Sequence, residues 1–206
     1  MGRRTKMEMN MKKVFIEVGS CDFDTNADLI INGGWIGVMC EPAKKYFKNL
    51  EKLMEGIKNR EDLFLENVAI SDYNGEISFA EAKDNSQGPR SEDGWRRGIS
   101  SVVADNHKGE RMFDLANNQQ FISDTYNVPC LTLDSLISKH EFEHINYLKL
   151  DVEGHEMNIL EAYSWDIKPD FIKLEHAHID DLYVKDFLEK KGYLVYLEES
   201  DLYAIL

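Results

Sequence analysis

The chain has 206 residues, a length that fits one domain with a full hydrophobic core. Hydrophobic residues make up 43% and charged residues 30%, which is typical of a folded globular protein and argues against disorder. The net charge of −14 repels phosphate backbones and argues against long DNA or RNA as a partner. No apolar run approaches the roughly 20 residues that cross a bilayer, so the sequence predicts a cytoplasmic protein without a membrane span.

The segment 1–13 is basic and rich in methionine, and it lacks the apolar stretch of a signal peptide. We interpret it as an N-terminal arm, and we expect residues 14–206 to form one domain. Cys21, Cys40 and Cys130 are far apart in the sequence, which predicts free thiols and argues against a disulfide framework or a metal knuckle.

Short β-rich runs alternate with helical stretches in the first half of the chain. The predicted elements are strands at Val14–Val18, 35–40 and 63–70, an amphipathic helix at 43–57, and a strand at 76–79 that follows an Asn74-Gly75 hairpin signal. The stretch 82–98 is polar, with three glycines and a proline, and residues 104–130 show only weak helical character. We therefore expect a polar loop insertion near 82–130, because long loops in compact domains are often functional.

The second half of the chain continues the alternation. The predicted elements are a helix at 132–138 capped by Thr132, strands at Tyr147–Leu150, 171–174, 193–197 and 202–206, and helices at 156–163 and 182–191. Alternating strands and helices indicate a parallel sheet, and the short turn between the last two strands makes them antiparallel neighbours. The sequence thus predicts an α/β fold: a mostly parallel sheet that ends in one reversed strand.

Polar residues follow three strands, where ligands bind in open α/β sheets. After the first strand, Gly19 permits a sharp turn, but no GxGxxG is present, which argues against a nicotinamide-dependent oxidoreductase. Glu41 follows the second strand, where an acid either binds ribose hydroxyls or is a surface acid before a proline. Asp151 and Glu153 follow the fourth strand; in an extended chain they project to one side and require a partner such as a bound cation. Alternatively, Glu153 caps the helix that follows.

Seven segments give the chain a resemblance to one family: VFIEVGSCDFDT, GVMCEP, NVAISDYNGEISF, ISSV, LTLDSL, YLKLDVEGHEMNIL and FIKLEHAH. In this order, over about residues 14–178, they resemble the FkbM methyltransferases. The resemblance implies a Rossmann-like class I methyltransferase fold, with a seven-stranded sheet, helices on both faces and S-adenosylmethionine across its carboxyl edge. It also implies O-methylation of a hydroxyl on a sugar or a small natural-product-like acceptor.

The resemblance assigns residues to the cofactor. Glu17 and Gly19 match the first-strand loop near the methionine part, Glu41 matches the ribose-binding acid, and Ser71 and Asp72 match the adenine-side loop. The remaining predicted cofactor contacts are Ser20, Asp22, Asp151 and Glu153.

The first loop departs from the family pattern, because Cys21 and Phe23 replace Asn and a second Gly; Asp22 or Asp24 are candidate substitutes. This departure favours an alternative, a module of the same fold that binds the cofactor but has lost turnover. The chain starts almost at its first strand, so we expect the 82–130 region or a partner chain, as in a homo-oligomer, to cover the acceptor.

Methyl transfer to a hydroxyl requires positioning of the acceptor and removal of a proton. His176 is the first candidate for the base, because a neutral imidazole accepts a proton near pH 7. Asp151, Glu153 and His155 are further candidates. A metal-assisted variant would use Asp151, Glu175 and His176, with Glu153 and His178 nearby, since carboxylates and imidazoles bind divalent ions.

Overall fold

The computed structural model describes residues 12–22, 26–82, 98–103 and 122–206. The strands are β1 (Val14–Val18), β2 (Ile36–Cys40), β3 (Leu63–Glu66), β4 (Ala69–Ile70), β5 (Gly75–Ala82), β6 (Ser101–Val102), β7 (Ile122–Leu131), β8 (Tyr147–Leu150), β9 (Phe171–Glu175), β10 (Leu194–Glu198) and β11 (Asp201–Ile205). The α-helices are α1 (Ala27–Ile31), α2 (Lys44–Met54), α3 (Leu133–Lys139), α4 (Glu156–Ala162) and α5 (Asp181–Lys190). A 3-10 turn at Arg60–Asp62 precedes β3.

Seven strands form the main sheet in the order β10-β11-β9-β8-β1-β2-β3. The pairs from β9 to β3 are parallel, and β11 is antiparallel to both β9 and β10. The predicted fold class, a seven-stranded mostly parallel sheet with one antiparallel strand, is therefore confirmed. The expectation that the reversed strand ends the sheet is wrong, because β11 lies inside it and β10 forms the edge.

The main sheet is covered on both faces, as its central strand β1 illustrates. Val14, Ile16 and Val18 pack in a core with side chains of α3, α4 and α5, whereas Phe15 packs on the other face with side chains of α1 and α2. All five residues of β1 are buried. A strand buried on both faces reads as a continuous apolar run, which explains why this strand was readable from the sequence.

A second sheet of four strands, in the order β4-β7-β5-β6, was not predicted. Its longest strand, Ile122–Leu131, falls in the segment expected to be weakly helical, and that expectation is wrong. Pro129, Asn127 and Asp124 disfavour strand structure, but β7 pairs with β5 along almost its whole length. The long-range pairing overrides the local preference, and the remaining predicted loop, 83–97 and 104–121, lies outside the described residues.

The predicted strand 63–70 divides between the two sheets. Residues 63–66 pair with β2, whereas Ala69–Ile70 pair with β7. Between them, the Asn67 side chain donates to the backbone carbonyls of Glu41 at 2.7 Å and Pro42 at 3.1 Å. Asn74-Gly75 forms no hairpin, because β7 lies between β4 and β5. Helix α1 was not predicted from the sequence, whereas the cap of α3 is confirmed: Thr132 accepts a hydrogen bond from the Ser135 N–H.

The second sheet covers the carboxyl edge of the main sheet. Phe79, Val102 and Val128 of the second sheet belong to one apolar cluster with Cys21 and Tyr46. The three cysteines are buried and free, as predicted. None of the described helices has both the length and the hydrophobicity that a bilayer crossing requires.

Candidate active site

A cavity lies at the carboxyl ends of β1, β2 and β8, below the second sheet. It is lined by Val18, Gly19, Cys21, Glu41, Pro42, Tyr46, Val68, Ala69, Ile70, Phe79, Gly98, Ser100, Ser101, Val102, Asp151, Val152 and His155. The structure thus brings Gly19, Glu41 and Asp151, which were predicted from three separate segments, to one cavity.

Gly19 makes the turn that opens this cavity. Its φ angle is +82°, and a Cβ atom at this position would lie 1.7 Å from the backbone oxygen of Asp151. The N–H groups of Gly19 and Ser20 both donate to the carbonyl of Cys40, at 3.1 and 3.0 Å. Only glycine combines this backbone conformation with so close an approach of two strand ends.

Glu41 is buried and receives two backbone hydrogen bonds. Its Oε2 atom accepts from Cys21 N at 2.7 Å and its Oε1 atom accepts from Ala43 N at 2.7 Å. Burial raises the pKa of Glu41 to about 7, and the nearby acids Glu81 and Asp151 act in the same direction. The carboxyl group therefore ties the first loop to the start of α2 while it faces the cavity.

Glu17 is fully buried, and its carboxylate is bound within the protein. Oε1 lies 3.0 Å from Nζ of Lys149, and Oε2 accepts from Asn26 Nδ2 at 2.7 Å. The Lys149 ammonium also lies 3.3 Å from Oδ2 of Asp151. Burial lowers the pKa of Lys149, but the two carboxylates outweigh it and raise the pKa above its usual value. Sequence reasoning missed Lys149, although a lysine between two leucines of a buried strand was the available signal.

Glu153 does not continue the extended strand, contrary to the expectation. Its φ angle is +56°, and its Oε2 atom lies 3.2 Å from Nε2 of His178. The partners that the acids after β8 were expected to require are therefore Lys149 for Asp151 and His178 for Glu153. The capping alternative for Glu153 is also wrong, because the N-cap residue of α4 is His155.

Ser71, Asp72 and His155 form a hydrogen-bonded chain beside the cavity. Oγ of Ser71 donates to Oδ1 of Asp72 at 2.9 Å and lies 3.0 Å from Nε2 of His155. Burial lowers the pKa of His155 to about 4, so its ring is neutral at pH 7. Of these three residues, only His155 lines the cavity in the described part of the chain.

Glu175, His176 and His178 follow β9. Burial and repulsion by Glu153 and Asp151 raise the pKa of Glu175 to about 7. The Oε2 atom of Glu175 and the Nε2 atom of His176 are buried and lack a hydrogen-bond partner among the described residues. Ligand atoms of Glu153, Glu175 and His178 lie within 4.8 Å of one another. This trio shares only Glu175 with the predicted metal set Asp151, Glu175 and His176.

A family model for the methyltransferase FkbM domain matches residues 17–195, well over half of the sequence. The chain belongs to the FkbM methyltransferase family. The crystal structure of an FkbM methyltransferase from Methylobacillus flagellatus KT is similar to this FkbM domain, with a TM-score of 0.59 and 13% sequence identity. The alignment covers 94% of this chain and 43% of that one, so the chain spans less than half the length of that protein.

Two other solved structures have lower similarity to this FkbM domain. One is a precorrin-6y C5,15-methyltransferase from Geobacter metallireducens GS-15, with 11% identity, 97% and 82% of the two chains covered and a TM-score of 0.43. The other is a fibrillarin/Nop5p complex, with 12% identity, 98% and 75% covered and a TM-score of 0.40. No curated protein sequence matches the chain.

The other predicted site residues of this FkbM domain do not line the cavity in the described structure. They are Glu17, Ser20, Asp22, Ser71, Asp72, Glu153, Glu175 and His176. Ser20 is buried with its Oγ 3.5 Å from the Glu17 carbonyl, and Asp22 accepts from Asn49 Nδ2 at 3.0 Å. Phe23 and Asp24 lie outside the described residues. The roles assigned to all these residues stay predictions.

Proposed function

We propose that the chain is an S-adenosylmethionine-dependent methyltransferase that methylates a hydroxyl oxygen of a sugar or a small natural-product-like acceptor. The observation that carries the proposal is the cavity of an FkbM-family domain at the carboxyl edge of its sheet, where Gly19, Glu41 and Asp151 meet. Ligands of open α/β sheets bind at this edge.

The residues of the cavity fit this cofactor. Each carboxyl oxygen of Glu41 accepts one backbone hydrogen bond and retains a second lone pair, so the group can still accept from ribose hydroxyls. Pro42, Val68 and Ala69 offer an apolar wall for the adenine ring. Asp151 provides a negative charge for the amino-acid end. The cofactor, when bound, supplies an electrophilic methyl group.

The protein's own residues have two tasks, to hold the acceptor hydroxyl in line with the methyl group and to remove its proton. We propose His176 for the second task, because its buried Nε2 atom lacks a partner among the described residues. Asp151 and Glu153 are the other candidates from this edge of the sheet. With Glu175 and His178 nearby, Glu153 could instead bind a divalent ion that orients the acceptor.

Calorimetric titration with S-adenosylmethionine and S-adenosylhomocysteine, each with and without magnesium, tests the proposal. We expect micromolar binding of both ligands, followed by transfer of a labelled methyl group to members of a set of hydroxylated acceptors. Binding without methyl transfer would support the alternative that the chain binds the cofactor but has lost methyltransferase activity. Absence of binding in folded protein would overturn the proposal, and a magnesium requirement would support the metal-assisted variant.

A further inference from the structure

The positions of the protons in the Asp72–Ser71–His155 chain follow from its hydrogen bonds. Asp72 is exposed, and a carboxylate only accepts. The Ser71 hydroxyl has one hydrogen, which it donates to Oδ1 of Asp72 at 2.9 Å. The contact of 3.0 Å between Ser71 Oγ and His155 Nε2 is then satisfied only if Nε2 carries the hydrogen and donates it. The opposite tautomer would leave two acceptors to compete for one hydrogen.

Nδ1 of His155 is consequently a lone-pair acceptor. The His155 side chain is 1% exposed, and its Nδ1 atom lacks a hydrogen-bond partner in the described part of the chain. Buried polar atoms are almost always paired, and those without a partner call for an explanation. Because His155 lines the cavity, a bound ligand can provide the missing donor.

The surroundings of His155 favour one kind of donor. Val68, Ala69 and Ile70 line the same cavity and immediately precede Ser71, the residue that holds the imidazole. Apolar side chains beside this buried acceptor fit a flat aromatic base with an amino group at its edge better than a polyhydroxylated acceptor. Glu41 lies at another strand end in the same cavity, where it can accept hydrogen bonds from the ribose that carries the base.

We propose that Nδ1 of His155 accepts a hydrogen bond from the 6-amino group of adenine in the bound cofactor. Ser71 and Asp72 are positioning residues: they fix the tautomer that presents the lone pair. The proposal rests on the proposed function, and it assigns to His155 a role in selecting the base. In hypoxanthine a carbonyl oxygen replaces the 6-amino group of adenine. This oxygen would face the lone pair of His155 Nδ1, and two acceptors form no hydrogen bond, so the cavity should bind hypoxanthine less well than adenine.

The test compares binding of S-adenosylhomocysteine with binding of S-inosylhomocysteine, its deaminated counterpart, by calorimetry. We expect wild-type protein to prefer the adenine compound by at least about 10-fold, because a site built for a hydrogen bond rejects the analogue that leaves it unpaired. In His155→Leu the preference should fall to about 1. His155→Asn, whose amide oxygen can replace Nδ1, should restore part of it. Ser71→Ala should weaken the preference without abolishing binding.

The outcomes separate this inference from the proposed function. Equal binding of the two compounds to wild-type protein, or an unchanged preference in His155→Leu, would overturn the inference and leave the cofactor assignment intact. Failure of both compounds to bind folded wild-type protein would overturn both. If the variants fail to fold, ¹⁵N spectra of histidine-labelled wild-type protein can identify the tautomer of His155. We expect the hydrogen on Nε2, and a hydrogen on Nδ1 would refute the assignment.

Discussion

The Nζ atom of Lys149 lies 3.0 Å from Oε1 of Glu17, and the two residues are direct partners in the register of β8 and β1. Both side chains are buried at the centre of the main sheet. The ion pair links the two strands whose ends carry Gly19 and Asp151. It therefore helps to hold together two of the strand ends that border the cavity.

Lys149→Met should destabilise the fold, because it leaves the Glu17 carboxylate buried without its cation. Removal of one partner of a buried pair costs about 3–5 kcal/mol. Urea unfolding measures the change, with Lys190→Met as a control for loss of an exposed lysine. The double variant Glu17→Gln/Lys149→Met should recover much of the loss. A Lys149→Met protein as stable as wild type would show that the pair does not support the fold.

Glu41→Ala should weaken cofactor binding strongly, because it removes the carboxyl group assigned to the ribose hydroxyls. We expect a loss of affinity of at least about 10-fold, the equivalent of one hydrogen bond to a charged group. Calorimetry with S-adenosylhomocysteine measures it, and Glu51→Ala on the exposed face of α2 is the matched control. Since Glu41 also binds Cys21 N and Ala43 N, thermal unfolding must accompany the titration. Unchanged affinity would remove Glu41 from the ribose site.

His176→Ala should lower turnover by roughly 100-fold while cofactor binding survives, if His176 removes the acceptor's proton. Transfer of a labelled methyl group to an acceptor identified in the screen measures the rate. His144→Ala is the control, because His144 precedes β8 at the opposite edge of the sheet. Wild-type turnover in His176→Ala would transfer the role to Asp151 or Glu153.

Glu156→Gln should change the pH dependence of stability. Burial raises the pKa of Glu156 from 4.5 to about 8. Between these values the folded protein retains a proton that the unfolded chain releases, so this contribution is complete below pH 4.5 and is lost as the pH rises to 8. A neutral glutamine lacks this pH-dependent contribution, which is at most about 5 kcal/mol over the whole range. Urea unfolding of both proteins at pH 5.5 and 8 measures it, and parallel profiles would contradict the shift.

The main sheet was predictable because its strands are short, apolar and separated by helices with clear periodicity. The second sheet was not, since its pairing joins residues about 50 positions apart. The strand Ile122–Leu131 contains Pro129 and polar residues that locally resemble a loop. Only the strand partner β5 decides its structure, and the sequence does not reveal which segment will provide that partner.

The site was predictable to the level of strand ends. Gly19, Glu41 and Asp151 meet at one cavity, because parallel strands place their carboxyl ends together. The pairing of side chains was not predictable: Asp151 and Glu153 pair with Lys149 and His178, where a bound cation was one partner considered from the sequence. A change to positive φ at Glu153 turned that side chain towards His178, and no residue type in the motif announces such a turn.

The position of β11 has a consequence for the order of folding. During synthesis, Leu194–Glu198 leaves the ribosome before Asp201–Ile205, the strand that connects it to β9. Leu194–Glu198 therefore has no neighbour in the main sheet until Asp201–Ile205 has been synthesised. A nascent chain that stalls near residue 200 would therefore carry an unpaired β9 edge, open to pairing with other chains.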